Sequence, residues 1–202
     1  MTATLPMFPL GTVLFPTLVL PLHVFEPRYR ALVDDCEAGD GEFGVVLIER
    51  GSEVGGGDVR TDVGTVARIV QRERFPDGRS ALAAVGTRRI RVTRWLDDDP
   101  YPRAEVEDWE DTSTSTVALD EVDALFRRAL AVAAELGEAP APLDVELDGD
   151  PALATFQMAA LAPLGPADRQ AVLATDTADD RVALLGRLLP DATELLRARL
   201  GG

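Results

Sequence analysis

The chain has no lysine: all 20 of its basic residues are arginine. A phosphate-binding P-loop needs its lysine to reach the nucleotide phosphates. A Ser-Lys dyad needs a lysine as base, and Schiff-base chemistry needs one as nucleophile. All three are excluded. Histidine occurs once, at His23, so neither a multi-histidine metal site nor a His-rich proton relay can be built. A Ser-His-Asp triad would have to use His23, which lies between Leu22 and Val24 in an apolar stretch with no Gly-x-Ser-x-Gly elbow. Cysteine also occurs once. Cys36 cannot form an intramolecular disulfide, which fits a reducing, cytoplasmic setting. Its neighbours Asp34, Asp35 and Glu37 raise a thiol pKa rather than lower it, so Cys36 reads as a small packed residue and not as a nucleophile.

Long apolar runs are missing too. Pro, Gly or charge breaks every one well short of the ~20 residues that cross a bilayer. The N-terminus has no basic segment, and its apolar stretches contain Pro9, Gly11, Pro16 and Pro21, so no signal peptide is expected. Positive charge is scarce: the formal net charge is -15. Residues 1–112 carry 20 acidic and 13 basic residues, and residues 113–202 carry 15 and 7. Such a field repels nucleic acid and anionic membranes as partners.

What remains is an ordinary globular composition, 46% hydrophobic over 202 residues, enough for a core. Up to about Trp109 the pattern is that of strands. Leu5–Leu10 is short and proline-bearing, Val13–Phe15 runs into a turn at Pro16, and Leu18–Phe25 is strand-like with Pro21 arguing for an edge or a bulge. Pro27 suits a first helical turn. Tyr29, Leu32, Val33 and Cys36 then recur at helical spacing, ended by Gly39. Phe43–Ile48 is a buried strand. Gly51–Asp58, with Gly55-Gly56-Gly57, is a loop; a strand over Val63–Val70 follows it, not the helix a phosphate cradle would want. Phe75-Pro-Asp-Gly78 has hairpin-turn chemistry and leads into Ser80–Val85. From Gly86 to Trp95, Arg89, Arg91 and Thr93 face one side and Ile90, Val92 and Arg94 the other. The net charge favours pairing of these arginines with nearby acids such as Asp97–Asp99, Glu105 and Glu107 over a nucleic-acid stripe. Asp97-Asp98-Asp99-Pro100 lacks the ligand spacing of a calcium loop. Tyr101–Trp109 closes this part.

Residues 110–116 are polar and small, and mark a linker. Beyond them Val117–Leu136 is amphipathic, with Leu119, Val122, Phe126, Ala129, Leu130, Ala133 and Leu136 on one face. Asp150-Pro151 opens a second helix that stops before Pro163, Gly165-Pro166 a third, and Asp176 or Thr177 a last one, which Pro190 is expected to kink or break. The residues therefore describe a β-rich domain, 1–112, followed by an α-helical domain, 113–202.

In their order, Leu5-Pro-Met-Phe-Pro-Leu10, Val13-Leu-Phe-Pro16, Leu20-Pro-Leu-His-Val-Phe-Glu-Pro-Arg-Tyr-Arg30, Phe43-Gly-Val-Val-Leu47, Glu53-Val-Gly55, Val63–Ile69, Gly86–Val92 and Pro100-Tyr101 resemble the Lon N-terminal domain. This is the substrate-binding domain of ATP-dependent Lon proteases, and the likeness is to its short, standalone bacterial members. One departure is Thr17, where members commonly carry Gly. The resemblance implies an α+β fold: a six-stranded PUA-like pseudo-barrel with one short inserted helix, then a C-terminal α-helical bundle. It also implies recognition of unfolded or damaged protein, in a chain too short to hold the ATPase and peptidase domains as well.

No catalytic residue, metal site or cofactor is expected. Three functions stay open: a non-catalytic binder of unfolded or partly folded protein segments, an adaptor docking to a cellular protease or stress complex, and a small-molecule sensor. Candidate peptide-contacting residues are Phe15, Phe25, Pro27, Tyr29 and Phe75. Glu26 and Arg28 are expected to pair and hold the strand-to-helix corner, and Gly86 belongs to the same structural motif.

Overall fold

A computed structural model describes residues 2–51, 53, 57–111 and 118–201. The triple glycine at Gly55 and Gly56, and residues 112–116 of the expected linker, lie outside the described residues. The chain divides into two compact units, Met1–Glu110 and Asp111–Gly202.

The first unit has strands β1 (Thr2–Leu10), β2 (Val19–Val24), β3 (Glu42–Arg50), β4 (Val59–Arg74), β5 (Ser80–Trp95) and β6 (Arg103–Asp108), with helix α1 (Pro27–Ala38) inserted after β2. The strand order is β2-β5-β4-β3-β1-β6, and β6 pairs back onto β5. Five strands thus close a ring, and β2 is added outside it. β1 and β3 run parallel and the other pairings are antiparallel. The long strand β5 makes this possible. Its first half, Ser80–Val85, pairs with β2, and its second half, Ile90–Trp95, pairs with β6.

Two cores result. Leu5, Met7, Val46, Val66, Ile90, Val92, Ala104 and Val106 fill the ring. Phe8, Leu10, Phe43, Val45, Ala67, Leu82 and Ala84 face the other way and pack with Leu20, Leu22 and Val24 of β2 and with Tyr29, Leu32, Val33 and Cys36 of α1. β1 and β3 are therefore buried on both faces, which is why Phe43–Leu47 is a continuous apolar run and not an alternating one. α1 follows its spacing: the four residues expected to face inward are the four buried ones.

The structure departs from expectation at several points. Val13–Phe15 is not a strand, although Leu14 and Phe15 are buried; the Leu14 carbonyl instead accepts from Thr65 Oγ1 at 2.6 Å. Ser80–Trp95 is one strand, not two, because Gly86 lets the chain run on past the Phe15 carbonyl. Arg94 is exposed out of line with Ile90 and Val92, since the register with β6 shifts between Val92 and Arg94. Arg89 and Arg91 stack on Trp109 at 4.5 and 4.2 Å, whereas Arg94 pairs with Glu105 and Arg88 with Glu42 and Asp108.

The second unit holds α2 (Asp120–Glu135), α3 (Pro151–Leu161), α4 (Pro166–Leu173) and α5 (Ala178–Leu200). Asp150 caps α3 by accepting from Ala152 N–H at 2.9 Å. Thr177 caps α5 by accepting from Asp180 N–H at 3.1 Å. α5 does not break at Pro190. Leu185 and Leu189 before it, and Thr193 and Leu196 after it, are all buried, so packing holds both halves in one helix despite the missing N–H. Arg181 is fully buried, donating to both oxygens of Asp111 and to Thr155 Oγ1 at 2.9 Å, with its guanidinium 4.0 Å from the Phe156 ring centre. Sequence pattern did not distinguish this arginine from the surface ones, because its partners come from distant positions.

Candidate functional site

The alternation of β2 decides which side chains reach solvent. Leu20, Leu22 and Val24 are buried, while Val19, Pro21 and His23 are exposed. Phe25 continues the outward set and is 54% exposed, a large apolar ring left in water. Extending the β2–β5 register by one residue places Phe25 opposite Arg79, next to the Val24–Ser80 pair. Arg79 closes a tight turn in which Phe75 N–H donates to the Arg79 carbonyl at 2.9 Å and Asp77 takes both the backbone N–H and the Nε of Arg79. Gly78, at φ +83, takes a backbone conformation that favours glycine, and the Arg30 guanidinium of α1 lies over it. Together these elements enclose an open cavity of about 320 Å³ lined by His23, Val24, Phe25, Phe75, Arg79 and Ser80.

The strand-to-helix corner borders this cavity. Glu26 is the N-cap residue of α1 by position, but its side chain caps nothing. It accepts from Arg28 Nε at 3.1 Å, as expected for the pair. Arg28 also lies 4.5 Å from the Tyr29 ring centre and donates to the Glu53 carbonyl at 3.1 Å. Tyr29 stacks on Phe8 with ring centres 4.1 Å apart; burial, with the field of Glu26 working against that of Arg28, pushes its hydroxyl up to about 12. Tyr29 is a core residue that lines a smaller groove beside β2.

Of the expected contact residues, the cavity brings together Phe25 and Phe75. Pro27 is exposed at the first turn of α1. Phe15 is fully buried and offers no surface: it packs where its carbonyl meets Gly86. Gly86 itself is required there, since a Cβ would collide with that carbonyl oxygen. His23, which the sequence sets in an apolar stretch between Leu22 and Val24, is exposed, because β2 is an outer strand and its odd positions point away from the core. Arg79 was not anticipated; the register of β2 with β5 is the signal that finds it. Cys36 is buried, its thiol donating to the Glu42 carbonyl at 3.2 Å, and burial together with Asp40, Asp35 and Glu37 pushes it up to about 12. Among the described residues no cluster of His, Cys, Asp and Glu could hold a metal ion, and no helix is long and apolar enough to cross a membrane.

The chain matches the family model described as the ATP-dependent protease La (LON) substrate-binding domain over residues 4–191. It is 33% identical over 201 residues to Lon protease 2 of Myxococcus xanthus and 27% identical over 202 residues to Lon protease 2 of Herpetosiphon aurantiacus; each alignment covers 96% of this chain and 24% of the relative. The chain thus spans about a quarter of the length of these curated relatives. Among solved structures it is similar to a Lon N-terminal domain protein from Xanthomonas campestris, with 31% identity and a TM-score of 0.69 over 91% of this chain and 96% of that one. The N-terminal domain of the Lon protease of Mycobacterium avium complex has the same fold, with a TM-score of 0.59 over 95% of this chain and 98% of that one, at 24% identity. A family match that runs from β1 into α5, on a sheet and helices shared with solved Lon N-terminal domains, establishes that the chain belongs to the Lon substrate-binding domain family.

Proposed function

We propose that this chain is a non-catalytic binding module for segments of other proteins that are unfolded or partly folded. The observation that carries this reading is the open cavity in which Phe25 and Phe75 meet, in a family described by substrate binding. An exposed phenylalanine beside a half-buried one is a costly arrangement in water, and burying both under a partner's apolar side chain recovers that cost. A folded protein keeps such side chains inside, so the cavity selects chains that expose them.

The test uses a reduced, carboxymethylated protein that stays unfolded in buffer, labelled for fluorescence anisotropy, beside the same protein in its native form. The unfolded form is expected to bind and the native form is not. Replacing both Phe25 and Phe75 by Ser should weaken binding by about 10- to 100-fold, as loss of one to two buried aromatic contacts implies. The melting temperature of the variant, measured in parallel, separates lost binding from lost folding. Unaltered binding by a folded double variant would overturn the reading.

A further inference from the structure

Among the described residues β2 has a strand partner on one edge only. Gly86 N–H donates to the Leu18 carbonyl at 2.9 Å, which puts Leu18 on the side of β2 that bonds to β5 and sets the phase of the ladder. Bonded and non-bonded pairs alternate in an antiparallel ladder, so Leu20–Ala84, Leu22–Leu82 and Val24–Ser80 exchange bonds with β5. The peptide groups of Val19, Pro21 and His23 point to the opposite edge. Pro21 sits where a missing N–H costs the sheet nothing. The N–H groups of Val19 and His23, and the carbonyls of all three residues, have no backbone partner among the described residues.

Both faces of this open edge carry a receptor for a side chain. On one face is the cavity of Phe25 and Phe75. On the other is a groove of about 150 Å³ in which Pro21–Phe25 confront Phe8 and Leu10 of β1, with Tyr29, Glu26 and Glu53 also lining it. Among the described residues its charged lining is the carboxylates of Glu26 and Glu53. Glu26 uses Oε2 for Arg28, and Glu53 uses Oε1 for Gly11 N–H at 2.5 Å, leaving the second oxygen of each for a cation. The field of the whole chain, at net -15, has the same sign.

We propose that the open edge of β2 takes an extended protein segment as a seventh strand. One side chain of the segment is apolar and enters the Phe25–Phe75 cavity. Its neighbour is arginine or lysine, with its stem over Phe8 and Tyr29 and its head at Glu26 and Glu53. Successive side chains of a strand point to opposite faces, so adjacent residues reach the two receptors, while main-chain bonds to Val19 and His23 supply affinity that does not depend on sequence. This inference rests on the reading that the chain binds protein segments, and adds the mode and the chemistry of the segment.

The probe is a labelled peptide of about ten residues alternating Leu and Arg, long enough for one strand. Comparison peptides replace Arg by Glu, or carry N-methyl groups on alternate residues in one phase or the other. Strand addition uses every second peptide N–H, so one phase should bind about tenfold or more weakly and the other should stay within about twofold of the parent. The Glu peptide should bind at least about tenfold more weakly. His23→Pro removes an edge N–H without touching the β5 ladder, and should weaken the Leu-Arg peptide by about tenfold at unchanged melting temperature; if that variant unfolds, the N-methyl series on the wild-type chain decides. Equal binding of both N-methyl phases, a Glu peptide that binds as well as the Arg peptide, or an edge closed by a second copy in sedimentation would each overturn strand addition. Binding of unfolded protein that still depends on Phe25 and Phe75 would then leave the broader reading standing; loss of that dependence as well would remove both.

Discussion

At the scale of single residues, the corner before β2 is held by backbone contacts that specific side chains would destroy or relieve. Thr17 N–H donates to the Gly86 carbonyl, and Gly86 N–H to the Leu18 carbonyl, at 2.8 and 2.9 Å. The Phe15 carbonyl occupies the space where a Cβ of residue 86 would stand. Gly86→Ala must therefore push apart two backbones that are hydrogen-bonded together, and should destabilise the first unit by about 3 kcal/mol or more. Thr17 is the opposite case. It has φ +67, the left-handed region that costs a β-branched residue about 1–2 kcal/mol. Thr17→Gly should remove that strain, and the added freedom of the unfolded chain offsets part of the gain, leaving a stabilisation of about 0.5–1 kcal/mol. Urea unfolding followed by tryptophan fluorescence measures both; a neutral Gly86→Ala would show that the corner is not close-packed. The departure of Thr17 from the family's usual glycine was readable in the sequence, but that it strains a positive φ required the structure. The Glu26–Arg28 pair was legible because its partners are two residues apart. The cavity was not, since Phe25 and Phe75 are far apart in the chain and meet only through the β2–β5 register.

At the scale of elements, α1 is both packed and ion-paired onto the sheet. Leu32 and Val33 are fully buried, and Asp34 and Glu37 bond to Arg72 and Arg74 of β4 at 2.7 to 3.2 Å. Burial pulls the Glu37 carboxyl upward, but hydrogen bonds from Arg74 and Arg72 outweigh it and hold the group below the ordinary carboxylate range. Asp58 is treated in the same way by Arg60, whose guanidinium also lies 4.8 Å from the Trp95 ring centre. Because these folded carboxyls bind protons less readily than the unfolded chain does, acid favours unfolding. Their contribution is complete above the ordinary carboxylate pKa of about 4 and is lost as pH falls through the lower folded values. Stability of the first unit should thus be flat from about pH 5 to 7 and decline below about pH 4, the decline being shallower in a Glu37→Gln/Asp58→Asn variant. Urea midpoints across that range measure it, and a variant with the same acid slope as the parent would remove these two carboxylates from the account. α1 could be read in advance because proline at its first turn and apolar spacing agree. Val13–Phe15 could not, because burial without a ladder leaves the same apolar signature as a strand.

At the scale of the molecule, the excess negative charge is not shared equally. Residues 1–110 hold 19 acidic and 13 basic residues, and residues 111–202 hold 16 and 7. In the first unit arginines of β4 and β5 bridge acids on neighbouring elements, as with Arg88 between Glu42 and Asp108 or Arg60 between Asp58 and Asp98. Salt therefore screens attraction and repulsion together there. In the second unit Arg127 pairs with Asp123, Arg199 with Glu138 and the buried Arg181 with Asp111, but acids outnumber arginines there by 16 to 7. Exposed pairs contribute little, about 0–1 kcal/mol each, and the buried one is sheltered from ions, so screening acts mainly on the uncompensated repulsion. Raising NaCl from about 20 to 500 mM, which shortens the Debye length from roughly 20 to 4 Å, should raise the melting temperature of the helical unit while moving that of the β unit much less. Circular dichroism at 222 nm reports mostly the helices, and the near-ultraviolet signal of Trp95 and Trp109 reports the β unit, since both tryptophans lie in residues 1–110. A helical transition that falls with added salt would mean that its few ion pairs outweigh the repulsion of its excess carboxylates, contrary to the charge distribution.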